Sequence, residues 1–140
     1  FTVYNLSVES SHHNYVAAGV LVHNKTQVPT PRRATPTPNA YSYFNKGKDY
    51  YNDGKYQQAI NEFTTLLRLN PSHGYAYLLR GNAYGRLGQY QQAIQDYDKA
   101  IQLDPDYANA YHNRGLAYQA LGQASIAQEN FDKARSLGFE

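Results

Sequence analysis

From residue 40 to residue 140, hydrophobic and small residues recur with a period of 34 positions. Six positions keep the same kind of residue in three consecutive segments: Tyr43, Tyr77 and Tyr111; Gly47, Gly81 and Gly115; Tyr50, Tyr84 and Tyr118; Gly54, Gly88 and Gly122; Ala59, Ala93 and Ala127; Phe63, Tyr97 and Phe131. Tyr43, Gly47 and Tyr50 share one face of a helix, because residues at i, i+4 and i+7 lie on the same side. The stretch that follows has the same helical spacing, at Ala59, Ile60, Phe63, Leu66 and Leu67. The pattern therefore predicts three copies of a pair of amphipathic helices.

Glycine and proline mark the breaks between these helices. Gly54 separates the first two helices, where it can adopt a positive φ angle and end the first of them. Pro71 and Pro105 end the second helix of the first two pairs. We predict six helices, at residues 40–53, 56–69, 74–87, 90–103, 108–121 and 124–136.

Small residues should set the distance between the two helices of a pair. Gly47 is expected to face Ala59, with the rings of Tyr50 and Phe63 filling the space above and below. No single pair can bury its apolar face, so the pairs must stack on one another.

This spacing and these residues resemble the tetratricopeptide repeat family. The resemblance implies an all-α fold, an α-solenoid of three helical hairpins at residues 40–73, 74–107 and 108–140. It also implies a protein-protein interaction module that binds a peptide or a partner protein. The first helix of each hairpin would line a concave groove.

The third repeat differs from the first two at two apolar positions. Gln128 and Arg135 stand where the other repeats have isoleucine or leucine. A polar outer face is typical of the last repeat of an array. We therefore expect the natural C-terminus to lie close to Glu140, with Leu137 and Phe139 folding back as a short lid.

The resemblance also implies which residues line the groove. They are Tyr41, Phe44, Lys48, Tyr51 and Asn52 in the first repeat, Tyr75, Leu78, Asn82, Gly85 and Arg86 in the second, and Asn109, His112, Leu116, Gln119 and Ala120 in the third. Aromatic side chains offer contact area, and the Asn82 amide can hydrogen-bond a peptide backbone. Lys48 and Arg86 can pair with acidic groups of the ligand. The alternative is that each groove tyrosine is only a helix-surface aromatic residue.

One well-known specificity of the family does not transfer to this chain. Some members clamp a C-terminal carboxylate with lysines, asparagines and an arginine at set positions. Those positions hold Phe44, Lys48, Leu79, Asn109 and Asn113 here. The required pattern is missing, so binding of chaperone tails is not predicted.

The first 24 residues alternate as β-strands do. Tyr4, Leu6 and Val8 share one strand face, and a second short strand covers residues 20–22. Two strands alone are marginally stable, so this short β-hairpin arm needs a partner sheet or pairs with a neighbouring molecule. Residues 25–39 hold four prolines and are predicted to form an extended linker.

Three pieces of this arm resemble the C-terminal end of a Hint domain, the fold of inteins and hedgehog autoprocessing domains. They are the strand at residues 3–9, the His13-Asn14-Tyr15 triplet, and the Val20-Leu21-Val22-His23-Asn24 run. The N-terminal half of such a domain, with its nucleophile, is missing. The segment is therefore predicted to be the incomplete end of a Hint, or intein-like, domain.

The resemblance implies a self-cleavage chemistry at Asn24. Its side-chain amide would attack its own carbonyl, form a succinimide and release Lys25 as a new N-terminus. His23 would polarise the carbonyl or protonate the leaving amine, and His13 would assist. Lys25 cannot accept an ester or thioester, so cleavage would occur without splicing. The alternative is an inert arm.

Composition excludes several other functions. Cysteine is absent, and the net charge is only +2, with its basic excess in the first forty residues. No nucleic-acid surface, membrane span or cofactor is therefore expected. His12, His13 and His23 lack a carboxylate that would complete a zinc site. The repeats show no catalytic set, so any enzymatic activity rests on Asn24. Separately, we expect a cytoplasmic protein.

Overall fold

The computed structural model describes residues 38–140, which form six α-helices and no strand within that range. In chain order they are α1 (Ala40–Asn52), α2 (Tyr56–Leu69), α3 (Gly74–Arg86), α4 (Tyr90–Leu103), α5 (Ala108–Ala120) and α6 (Ala124–Ser136). The predicted helices are confirmed, and three of them end one residue earlier than expected. The predicted β-hairpin arm and most of the predicted linker lie outside the described residues.

The helix ends have local causes. The Asn39 side chain accepts a hydrogen bond from the Ser42 N–H at 2.9 Å and caps the start of α1. Gly54 has a φ angle of 77°, and the Lys55 N–H donates to the Tyr50 carbonyl at 2.8 Å. This is the Schellman arrangement that ends a helix at a left-handed glycine. The residues next to the end of α1 therefore determine where this helix ends.

In each hairpin, an aromatic ring of the second helix packs against a glycine of the first helix. A Cβ atom added to Gly47 would lie 2.6 Å from the Phe63 ring, and one added to Gly81 would lie 2.7 Å from the Tyr97 ring. Gly47 thus leaves room for the Phe63 ring, and in the third repeat a Cβ atom added to Gly115 would also lie 3.1 Å from the carbonyl oxygen of Ala127, the equivalent of Ala59. The two helices of a hairpin therefore approach closely at the glycine, and the aromatic ring fills the space that the missing side chain leaves.

The hairpins stack in a row, and each helix packs against its neighbours in the chain. The apolar face of α2 is buried against Ala76 and Ala83 of α3. The apolar face of α4 is buried in the same way against Ala110 and Ala117 of α5. The all-α solenoid of three hairpins is therefore confirmed, with its core between successive hairpins.

Two arginines tie neighbouring repeats together. Arg80 forms a bidentate pair with Asp96 of its own repeat, at 2.7 and 2.8 Å, and donates to the Thr64 hydroxyl of the preceding repeat at 3.0 Å. Arg114 repeats the arrangement with Asn130 and Asp98, at 2.8 and 2.7 Å. Each arginine therefore bridges two stacked hairpins.

The third repeat ends differently from the first two. Gln128 and Arg135 are exposed, as predicted for an outer face. Gly138 has a φ angle of 94°, and the Phe139 N–H donates to the Ala134 carbonyl at 3.0 Å. The Phe139 ring then stacks on His112, with 4.0 Å between the ring centroids. The predicted fold-back is therefore confirmed for Phe139.

Candidate peptide-binding groove

An open cavity of about 380 Å³ lies between the first helices of the three repeats. It is lined by Tyr51, Asn82, Gly85, Arg86, Tyr90, Tyr97, Asn113, Leu116 and Ala117. A Cβ atom added to Gly85 would lie 3.8 Å from the Tyr97 hydroxyl. Because Gly85 has no side chain, the second helix of the repeat forms part of the cavity wall through Tyr97.

A hydrogen-bond network at the cavity orients the Asn82 amide. The Tyr97 hydroxyl and the Asn113 side-chain N–H both donate to Asn82 Oδ1, each at 2.9 Å. Burial raises the pKa of Tyr97, so its hydroxyl keeps its proton at ordinary pH. Since the Asn82 oxygen already accepts two hydrogen bonds, its NH₂ group is left to donate. Within residues 38–140 that NH₂ group donates to no protein acceptor.

Arg86 lies at the end of α3 and is exposed to solvent. Its guanidinium lies over the Tyr56 ring, 5.9 Å from the centroid, and the Tyr51 ring meets the Tyr56 ring edge-on at 5.3 Å. The neighbouring Tyr51 hydroxyl is the main cause that raises the pKa of Arg86, so the guanidinium stays charged. The described part of the chain places no carboxylate within ion-pairing distance of Arg86.

An aromatic cluster lies toward the first repeat, and we call Phe44, His73 and Tyr75 the aromatic shelf. The Phe44 ring stacks on His73 at 5.3 Å and contacts Tyr75 at 5.8 Å. Lys48 Nζ lies 5.5 Å from the Phe44 centroid. Tyr41, in the first turn of the same helix, is 70% exposed. The shelf offers apolar contact area to a ligand, and Lys48 beside it offers one cation.

Burial also affects a tyrosine near the shelf. Burial is the main cause that raises the pKa of Tyr107 to about 12, and the neighbouring Tyr75 raises this pKa further. Tyr107 therefore stays a neutral hydrogen-bonding group at ordinary pH.

The predicted groove residues do not all come together. Tyr51, Asn82 and Arg86 line the cavity, and Phe44 and Tyr75 form the shelf. Leu78 was predicted to line the groove, but it is only 4% exposed and packs in the core between the second and third repeats. Asn109 is exposed outside the cavity lining.

His112 was also predicted to line the groove. It lies between Phe131 and Phe139 at a separate cavity of about 340 Å³, and burial lowers its pKa. The chain's own C-terminal segment therefore covers the ring that was expected to meet a ligand.

The sequence did not identify four of the cavity residues as part of the groove. Tyr90 and Ala117 were not named, and Tyr97 was identified only as the equivalent of Phe63 in the second repeat. Asn113 was considered only as a departure from the carboxylate clamp. Gly85 was the signal that could have indicated Tyr97, because a glycine on a helix face leaves the residues behind it accessible.

The predicted catalytic residues Asn24, His23 and His13 lie outside the described residues. Between residues 38 and 140, no group of three or more histidine, cysteine or acidic side chains could hold a metal ion. No helix in that range is long and apolar enough to cross a bilayer.

Three stacked helical hairpins with a groove along their first helices define a helical repeat protein. Tetratricopeptide repeat models match residues 40–73, 62–95 and 108–137, and a TPR repeat model matches residues 81–122. The chain therefore belongs to the tetratricopeptide repeat family. These matches lie between residues 40 and 137, so they do not bear on residues 1–24.

Solved structures agree with this assignment. The first TPR of Spaghetti (RPAP3) bound to the HSP90 peptide SRMEEVD is 30% identical, with a TM-score of 0.70 over 71% of this chain and 79% of that one. The Arabidopsis OM64 TPR domain is also 30% identical, with a TM-score of 0.70 over 71% and 82%. The TPR2B domain of yeast Sti1 in an Hsp70 complex is 28% identical, with a TM-score of 0.69 over 72% and 81%. A comparison with curated proteins gave no match.

Proposed function

We propose that residues 40–140 bind an extended or helical segment of a partner protein across the cavity and the aromatic shelf. The observation that carries this proposal is the orientation of Asn82, whose oxygen is occupied by Tyr97 and Asn113. Its NH₂ group is thereby prepared to donate to a peptide carbonyl. Because the donor is oriented before binding, a ligand would lose little free energy in ordering it.

The relatives support a peptide ligand as a class. One is bound to the HSP90 peptide SRMEEVD and another to an HSP70 peptide. In this chain, however, two of the positions that form the carboxylate clamp hold Phe44 and Leu79. We therefore propose a segment with apolar anchors, and not a chaperone tail, as the ligand.

Binding to peptide arrays tests the proposal. Phe44→Ala and Asn82→Ala are each expected to weaken binding roughly fivefold to tenfold, since buried contacts and hydrogen bonds are worth about 1 kcal/mol each. Gln92→Ala, on the exposed face of α4, is the matched control and should bind as the wild type does. Binding that neither groove change affects would contradict this groove.

The sequence of the N-terminal arm favours a second function. We propose that the longer parent protein carries the missing half of a Hint domain and cleaves itself after Asn24. The Val22-His23-Asn24 run and His13 support this chemistry, and Lys25 argues against splicing. Enforced positioning of the weak amide nucleophile is the effect that would make the reaction possible. Cleavage would release the repeat module from the upstream chain.

Mass spectrometry of the parent protein tests the second function. Wild-type protein is expected to yield a fragment that begins at Lys25, while Asn24→Ala stays intact. His23→Ala should slow the reaction by about 10² to 10⁴-fold, as loss of general acid–base help does. An intact wild-type chain, indistinguishable from Asn24→Ala, would exclude self-cleavage.

A further inference from the structure

The groove has an unbalanced charge. From Tyr41 onward, the chain carries ten basic and ten acidic residues. The residues that line the cavity and form the aromatic shelf nevertheless include no aspartate or glutamate. The charged side chains there are Arg86 in the cavity lining and Lys48 beside Phe44, and both are cations. All ten acidic residues of this part of the chain lie elsewhere, so the groove is suited to an anionic ligand.

Arg86 is also held in place before a ligand arrives. The Tyr56 ring lies 5.9 Å from its guanidinium, and the Tyr51 ring packs edge-on against Tyr56. An arginine that is held by aromatic rings loses less side-chain entropy when it forms a paired hydrogen bond. This distinguishes Arg86 from an ordinary exposed cation such as Arg68, for which none of these contacts is present in the described structure.

A second donor lies one helical turn away. Asn82 and Arg86 are separated by four residues on α3, so their side chains are neighbours on one face. The Asn82 oxygen is occupied by Tyr97 and Asn113, which leaves its NH₂ group as a donor. Leu116 and Ala117 add apolar wall to the same cavity and reduce competition from water.

We propose that this cavity binds the carboxylate side chain of an aspartate or glutamate within the partner segment, with Arg86 and Asn82 as its hydrogen-bond donors. The inference rests on the proposed peptide-binding function and names the chemistry that the groove selects. The site differs from the clamp of the family, because neither Arg86 nor Asn82 occupies a clamp position. A carboxylate fits because it only accepts hydrogen bonds, and Arg86 and Asn82 are both left to donate. The Asn82 NH₂ group has two N–H donors, so one can bind this carboxylate while the other binds a peptide carbonyl.

A displayed library of random twelve-residue peptides, selected on the full 140-residue chain, tests the inference. We expect the enriched peptides to share one acidic position next to apolar ones. A soluble enriched peptide is then compared with its Glu→Gln version by fluorescence anisotropy. Wild-type protein should prefer the glutamate peptide by about tenfold, the usual worth of a charge-assisted hydrogen bond.

Variants then assign the preference to Arg86. Arg86→Gln should bind both peptides about equally, Arg86→Lys should keep part of the preference, and Arg68→Gln should keep all of it. Arg86 is exposed, so Arg86→Gln is expected to fold, which circular dichroism checks. Added salt should reduce the glutamate preference of the wild type.

The outcomes separate the two proposals. Enriched peptides without a shared acidic position, or a glutamate preference that survives in Arg86→Gln, would overturn this inference and leave peptide binding intact. If no peptide is enriched at all, the proposed function itself fails, and this inference fails with it.

Discussion

At the residue scale, glycine serves three distinct roles in this protein. Gly54 provides a positive φ angle at a turn, whereas Gly81 leaves room for the Tyr97 ring. Gly85 has ordinary helical geometry and space around it, and its absent side chain opens the cavity toward Tyr97. Because the three roles have different physical causes, substitution by alanine should have a different effect at each.

Gly81→Ala is expected to lower the free energy of unfolding by about 1–3 kcal/mol, since the new Cβ would lie 2.7 Å from the Tyr97 ring. Gly85→Ala is the matched control, because its Cβ would meet only the Tyr97 hydroxyl at 3.8 Å. It should raise stability by roughly 0.5–1 kcal/mol through helix propensity. Urea unfolding of both variants measures the difference. Equal effects would contradict the packing role of Gly81.

Phe139 covers His112, and burial lowers the pKa of that histidine below its ordinary value. The unfolded state therefore binds the proton more readily, and His112 reduces stability as the pH falls through about 6.5. Phe139→Ala should raise the pKa of His112 toward its ordinary value, while Phe139→Tyr should leave it low. Titration of the imidazole proton by NMR measures both. An unchanged value in Phe139→Ala would show that Phe131 alone covers the ring.

At the element scale, the arginine bridges fix how one hairpin lies on the next. Arg80 reaches Thr64 on α2 and Asp96 on α4 from its own position on α3. Its side chain and that of Asp96 are 17% and 5% exposed, so the pair lies largely out of water. Burial raises the pKa of Asp96, and the neighbouring Arg80 opposes that effect. The stability of the pair therefore depends on both partners.

Arg80→Leu should lower the free energy of unfolding by about 3 kcal/mol, because it leaves the buried carboxylate of Asp96 unpaired. The double variant Arg80→Leu/Asp96→Leu should recover much of this loss, since neither charge then remains buried. Arg135→Leu breaks an exposed pair with Asp132 and should change stability by less than about 1 kcal/mol. Chemical unfolding of the three variants provides the measurement.

The loss in Arg80→Leu should also depend on pH. Without the guanidinium, the pKa of Asp96 rises further above its unfolded-state value. The folded state then binds the proton more readily, so stability is retained at low pH and falls as the pH rises through the raised pKa. The deficit should therefore shrink as the pH is lowered toward 4. A deficit that does not vary with pH would mean that lost packing, and not the unpaired charge, causes it.

At the scale of the whole molecule, stability comes from stacking and not from any single hairpin. Tyr97 and Ala100 of α4 are buried in a cluster with Ala110 and Ala117 of α5. The same third repeat supplies Asn113 and Leu116 to the cavity. Stability and the candidate site therefore depend on the same interface.

A chain that ends after Tyr107 should be less stable and should not bind the enriched peptides. Two of three hairpins remain, so the denaturant dependence of the unfolding free energy should fall by roughly a third, in line with the surface exposed. Circular dichroism and urea unfolding test stability, and anisotropy tests binding. Wild-type affinity in the shortened chain would contradict a cavity that needs the third repeat.

Much of the fold was predictable from the sequence. The six helices follow from apolar spacing, from Gly54 and its equivalents, and from Pro71 and Pro105, all of which act within one or two helical turns. The candidate site was less predictable. Leu78 was expected on the groove and is buried, because the second repeat is covered from both sides.

The sequence by itself determined a repeat of helical hairpins that must stack, because helix formation and amphipathic faces are local properties repeated every 34 residues. Only the tertiary structure decided which groups remain to meet a ligand. Asn82, Tyr97 and Asn113 come from three different helices and are 15 and 31 residues apart in their hydrogen-bonded pairs. Whether an amide is occupied or left to donate depends on such distant partners, and helical periodicity carries no information about them.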